Sequence, residues 1–148
     1  MSSNSKEIIV NRKARFEYEI IETFEAGIVL TGTEIKSIRE GSVSLEEAYI
    51  TIKEAPYLVN ASIAPYKYGN VHNHEEKRPR KLLMHHREIA KLQKALSLQG
   101  LTLIPLSFYL KNGFVKVKIG LARGKKLYDK RESIKKRDQE KSIAKMMN

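Results

Sequence analysis

After Ala122 the chain loses the means to bury a core. The last 26 residues hold 10 basic and 4 acidic side chains, and their sizeable apolar groups are only Leu127, Tyr128, Ile134, Ile143, Met146 and Met147. So few cannot offset a backbone entropy cost of about 1–2 kcal/mol per residue. Residues 1–122 carry 18 basic and 13 acidic side chains, a net charge of +5, against +6 in the remainder. The expectation is a folded body of residues 1–122 and a basic tail, 123–148, disordered when free. A terminal helix docked on the body is the alternative.

Composition removes several function classes. The 148 residues are 41% hydrophobic, enough for one domain with a core. The absence of cysteine excludes a disulfide scaffold, a zinc–cysteine site and thiol chemistry. Both aspartates, Asp129 and Asp138, lie in the tail, so the body shows no sign of the carboxylate cluster that two-metal nucleases need. The opening MSSNSKEIIV has no signal-peptide core. The longest uncharged stretches, 55–66 and 95–110, contain Pro and Ser and fall short of the roughly 20 apolar residues of a membrane span. A cytoplasmic protein without a membrane role is expected, with a partner rich in negative charge.

Local patterns predict the elements. Phe16, Tyr18 and Ile20 alternate with other residues at a strand period. Glu25-Ala26-Gly27 reads as a turn and Ile28-Val29-Leu30 as a buried strand. Residues 33–39 read as a helix, with Thr33 as N-cap and Gly41 as stop. Strands are predicted over 49–53 and 57–63, joined at Glu54-Ala55-Pro56, and a polar loop over 65–80. Ile89, Leu92 and Leu96 give residues 87–99 an apolar helix face that ends at Gly100. Residues 101–110 and 114–121 form a hairpin around Lys111-Asn112-Gly113, where Asn-Gly is a strong turn signal. Short strands with helices between them and no βαβ repetition predict a mainly β fold with short α-helices, a small antiparallel barrel of the OB type.

In the last strand Val115, Val117, Ile119 and Leu121 are predicted to face the core, which places Lys116 and Lys118 together on the other face, about 7 Å apart. That spacing suits successive phosphates; a solvated strand face fits equally well. Two further basic runs, Asn11-Arg12-Lys13-Ala14-Arg15 and Lys77-Arg78-Pro79-Arg80-Lys81, read as phosphate contacts. Three such runs on one body favour nucleic acid. His72, His74, His85 and His86 have no cysteine and few carboxylates beside them, so neither metal, cofactor nor acid–base catalysis is expected. Gly124-Lys125-Lys126 lacks the frame of a phosphate-binding loop. A helical tail would be cationic apart from one apolar turn of Ile143, Met146 and Met147, which suits folding on RNA better than lying on a membrane.

Several segments carry a resemblance. Asn11-Arg12-Lys13-Ala14-Arg15, Glu25-Ala26-Gly27-Ile28, the run from Leu30 through Thr33-Glu34-Ile35-Lys36-Ser37, Arg80-Lys81-Leu82-Leu83-Met84, Lys116-Val117-Lys118-Ile119-Gly120 and Gly124-Lys125-Lys126-Leu127-Tyr128-Asp129-Lys130-Arg131 together resemble the SmpB (SsrA-binding protein) family, in order and over essentially the whole chain. The resemblance implies an OB-barrel, RNA-binding adaptor that is not an enzyme. It would bind the tRNA-like domain of tmRNA and deliver it to stalled ribosomes in trans-translation, its tail entering the small-subunit decoding centre and mRNA channel as a helix. It implies tmRNA binding at Glu25, Leu83 and Lys116, and Asn11, Arg12, Lys13, Arg15, Lys36, Arg80, Lys81 and Lys118 are expected to add RNA contacts. It assigns Asp129, Lys130 and Arg131, with Lys125, Lys126 and Tyr128, to the ribosome. A monomer is expected. Phe16 and Tyr128 stand where relatives often carry His. Two rivals are a generic OB-fold RNA binder with a dispensable tail and an RNA-processing enzyme dependent on His85 or His86.

Overall fold

Asn112 and Gly113 both adopt positive φ, 53° and 85°, the backbone that a two-residue hairpin turn demands. They join β8 (Leu101–Lys111) to β9 (Phe114–Gly124), which pair antiparallel along their length with one irregularity between Pro105 and Ser107. Val115, Val117, Ile119 and Leu121 of β9 are buried, and Lys116 and Lys118 lie on the other face, as the alternation predicts. This computed structural model describes residues 5–68, 73–97 and 100–124.

The hairpin organises the other strands. Its β9 edge pairs with β2 (Tyr18–Ile28). Its β8 edge pairs with β1 (Ser5–Val10) and, further along, with β4 (Tyr49–Ile52). The sheet then runs through β5 (Pro56–Val59) and β7 (Arg80–Leu83) back to β2, so six antiparallel strands close on themselves through β8–β9, and β1 adds a seventh at the edge of β8. A separate two-stranded ladder joins β3 (Val43–Ser44) to β6 (Ser62–Ile63). Leu58, Ile63, Leu103, Phe108, Val117 and Ile119 meet inside. The helices are α1 (Arg12–Glu17), α2 (Gly32–Arg39) and α3 (His86–Leu96); Leu92 drives α3 into the core. None of the described helices is long and apolar enough to cross a membrane.

The structure departs from local expectation in instructive places. The basic run at 11–15 is not an approach to a strand but the start of α1. Asn11 caps it by accepting from the Ala14 N–H at 3.2 Å, and Phe16 ends up 69% exposed on the helix. Only Tyr18 and Ile20 keep the predicted strand alternation. Glu25-Ala26-Gly27 is no turn but part of β2. Gly27 lies close to β7: a Cβ there would stand 3.4 Å from the Leu83 Cβ, an ordinary contact. Val29 lies beyond the strand and is exposed. The predicted 57–63 strand is divided at Asn60, whose φ is 68°. The N-cap of α2 is Thr31 rather than Thr33. Its hydroxyl accepts from the Glu34 N–H, and the Glu34 carboxylate accepts from the Thr31 N–H at 2.8 Å, a reciprocal pair. Strand β9 runs through Arg123 and Gly124, the first two residues of the expected tail; the rest of that tail lies outside the described residues.

The carboxylate that closes this cap also sits beneath β7. Glu34 Oε2 accepts from Arg80 Nε and Arg78 Nε, each at 2.8 Å, and Oε1 accepts from Arg78 Nη2 at 2.7 Å. The Arg80 side chain is fully buried. Its remaining donors reach the carbonyls of Ala61, Glu75 and Glu76 at 3.1–3.2 Å. Burial opposes ionisation of Glu34, but the arginines and the Thr31 N–H prevail and hold its carboxyl below the usual value. Glu34→Gln would leave a buried guanidinium uncompensated, and urea unfolding should show a loss of about 3–5 kcal/mol. Because the native pKa is depressed, the Glu34 contribution is fully present above the ordinary glutamate pKa of about 4.3 and disappears as pH falls through the native value. The wild-type advantage over Glu34→Gln should shrink in that acid range.

Candidate RNA-binding interface

Strand register assembles the outer face. Gly27 of β2 lies opposite Lys116 of β9, which lies opposite Tyr109 of β8. Two residues along, Glu25, Lys118 and Ser107 form the next row. From the other side, Leu83 of β7 pairs with Gly27. Leu83 is 53% exposed, and the Lys116 Nζ lies 3.8 Å from the place where a Gly27 side chain would begin. Glu25, Leu83 and Lys116, from three separate segments, therefore meet around the bare backbone of Gly27. With Met84, His85 and Glu88 they line a shallow depression of about 310 Å³. The Lys116 ammonium also stands 6.0 Å from the Phe114 ring centroid.

Glu25 is held in its charged form. Lys111 Nζ lies 3.2 Å from Glu25 Oε1. Burial alone would raise the carboxyl pKa, but hydrogen bonds from Tyr109 and Lys111, and the charges of Lys111 and Lys116, bring it below the usual value. Burial and the same carboxylate push the Tyr109 hydroxyl pKa upward, so it stays a donor. The site thus offers a fixed anion ringed by cations, beside an exposed leucine. Such a surface accepts from base N–H groups, packs against an unstacked base and neutralises phosphate. Tyr109 and Lys111 were not expected in the site. The period-two alternation with Phe108 and Leu110 at the end of β8 is the signal that marks them.

The other candidate residues divide into groups. Lys118 lies beside Glu25 on the same face. Lys81 is exposed on β7, opposite Tyr57 and two residues from Leu83. Arg12 and Arg15 are exposed on α1, and Lys13 lies 3.4 Å from Glu47. This group sits at the start of β2, where Tyr18 pairs with Gly124. Lys116 and Gly124 are eight residues apart on one strand, about 26 Å, so α1 and the Lys116 cluster mark opposite ends of the hairpin. Lys36 is exposed on α2, 5.5 Å from the Tyr66 ring centroid.

Two candidates face inward. Arg80 is the buried partner of Glu34, and the Asn11 amide donates to the Leu45 and Pro105 carbonyls at 3.1 and 2.9 Å. Both hold the fold and offer nothing to a ligand at the surface. Lys125, Lys126, Tyr128, Asp129, Lys130, Arg131 and His72 lie outside the described residues. His74 bridges the Thr33 hydroxyl, at 2.9 Å, to the Ile63 and Ala64 carbonyls. Among the described residues no group of three His, Cys, Asp or Glu is placed to hold a metal.

Comparison with known proteins places the chain in a family. The family model described as SmpB protein matches residues 8–148. The chain belongs to the SmpB family. An SsrA-binding protein of Chlamydia muridarum (strain MoPn / Nigg) is 54% identical over 143 residues, covering 96% of this chain and 95% of the relative. One of Lactococcus lactis subsp. cremoris (strain MG1363) is 53% identical over 147 residues, 99% of this chain and 95% of that protein. A solved structure described as "tmRNA-SmpB: a journey to the center of the bacterial ribosome" contains a chain with a TM-score of 0.71 and 44% identity, covering 86% of this chain and 94% of that one. In this SmpB-family chain the Glu25 carboxyl should titrate, by NMR, below the ordinary glutamate pKa of about 4.3. Tyr109→Phe removes a donor and should move that titration upward.

Proposed function

We propose that this chain binds tmRNA and acts with it on the ribosome in trans-translation, as a non-enzymatic RNA-binding protein. The observation that carries the reading is the meeting of Glu25, Leu83 and Lys116 around Gly27, three residues that family resemblance ties to tmRNA. Full-length relatives named SsrA-binding protein support it. The part of the RNA held there is its tRNA-like domain. Leu83 packs on an unstacked base, Glu25 accepts from base amino groups, and Lys116, Lys118 and Lys81 neutralise phosphates. The closed antiparallel sheet is a barrel of the OB type, which binds RNA on its outer strands.

The protein works in the cytoplasm as a monomeric adaptor. Residues 123–148, through Lys125, Lys126, Tyr128, Asp129, Lys130 and Arg131, act in the decoding centre and mRNA channel of the small subunit. Arg12, Lys13 and Arg15 stand at the end of the hairpin from which those residues continue, so they belong with the ribosomal contacts rather than with the Glu25 face.

Two experiments test this. In a gel shift with labelled tRNA-like domain and excess elongator tRNA, Lys116→Ala and Glu25→Ala should each weaken binding by roughly 10-fold or more, with unchanged thermal unfolding. Wild-type affinity in both variants would refute the site. Removal of 125–148, which spares all of β9, should leave most tmRNA binding but abolish nascent-chain tagging on stalled ribosomes. Tagging at the wild-type level would refute the role of that segment.

A further inference from the structure

Helix α3 presents a surface that its packing does not require. Leu92, Ala95 and Leu96 turn to the core. On the opposite side Arg87, Lys91 and Lys94 are all exposed, and their i, i+4, i+7 spacing puts them in one stripe. Helix stability favours Lys94, in the last turn, but not the other two members of the stripe. Arg87 occupies the first turn, where the helix dipole repels a cation, and like charges at i, i+4 repel one another. Among the described residues only Lys91 has an acidic partner, Glu22 at 2.9 Å; both are well exposed, so the pair exchanges readily with other ions. That contact holds the ammonium 5.5 Å from the Phe24 ring centroid. Arg87 and Lys94 have no ion-pair partner there.

The stripe also continues the face already described. Arg87 and Lys91 line a depression that shares Glu25, His85 and Glu88 with the one holding Leu83 and Lys116. Along the helix axis, Arg87 and Lys91 stand about 6 Å apart and Lys91 and Lys94 about 4.5 Å, within the reach that long side chains need to meet successive phosphates. We propose that Arg87, Lys91 and Lys94 form a phosphate track that holds the backbone of an RNA strand as it leaves the Glu25–Leu83–Lys116 face. This rests on the tmRNA-binding reading of that face. It places α3 among the RNA-contacting elements and gives Glu22 the role of holding Lys91 in line until a phosphate takes its place.

The test is the salt dependence of binding by the full chain to labelled tmRNA, between about 50 and 200 mM salt. Each phosphate contact contributes roughly 0.7–0.9 to the slope of log K against log salt. Arg87→Gln combined with Lys94→Gln should therefore flatten the slope by about 1.4–1.8 and weaken binding about 10-fold or more at physiological salt. Arg87→Lys with Lys94→Arg should restore the slope, and Lys6→Gln on β1 should keep it within one contact of wild type. Circular dichroism checks that each variant folds. An unchanged slope in the folded Gln variant overturns the track, as does an equal effect from Lys6→Gln. If the wild-type chain itself shows no preference for tmRNA, the underlying reading falls as well, which separates the two failures.

Discussion

Glu34 accepts hydrogen bonds from two arginines that lie 44 and 46 residues away in sequence. It does so while completely removed from solvent. A buried carboxylate is tolerable only when its partners are fixed in place. The reciprocal cap with Thr31 fixes α2, and the second arginine, Arg80, fixes β7. Because side chains alternate along a strand, turning Arg80 inward obliges Lys81 and Leu83 to face outward. The exposed leucine of the proposed binding face is thus the outward complement of a buried ion pair. Disturbing Glu34 would be felt first where β7 meets Gly27.

The face itself is centred on a small residue. At Gly27, β2 and β7 approach so that a Cβ would meet the Leu83 side chain at 3.4 Å, in contact but without a clash. The Lys116 ammonium reaches over the same spot. Glu25 remains ionised beside it because Lys111 and Tyr109 are supplied by β8 across the hairpin. The arrangement shows how an acidic residue fits a surface proposed to bind a polyanion. Its charge is balanced within the protein, so it orients cations and accepts from bases without repelling phosphate.

What was legible in the sequence was mostly local. Asn112-Gly113 gives a turn by its own backbone preference, and the valine–lysine alternation places Lys116 outside wherever the strand pairs. The apolar face of α3 needs no distant partner to be recognised. Strand β1 was missed because its pairing partner lies about a hundred residues away and no turn announces it. Arg80 looked like surface because a basic run carries no mark of the carboxylate that buries one of its members. Glu25-Ala26-Gly27 has the composition of a turn, and its distant pairing with β9 and β7 holds it in mid-strand instead. Periodicity alone reached Lys116. Family resemblance added Glu25 and Leu83, and the fold brought the three together.

Closure of the sheet has a consequence for how the molecule behaves among its own copies. Every strand of the main sheet except β1 is paired on both sides for at least part of its length among the described residues. Unpaired strand edges invite pairing with a second chain. The outer edge of β1 is interrupted by an irregularity between Glu7 and Ile9, next to the exposed charges of Lys6 and Glu7. A strand that is bent and charged in this way makes a poor template for edge-to-edge addition. Among the described residues, the outer edge of β1 thus offers a second copy little purchase for extending the main sheet.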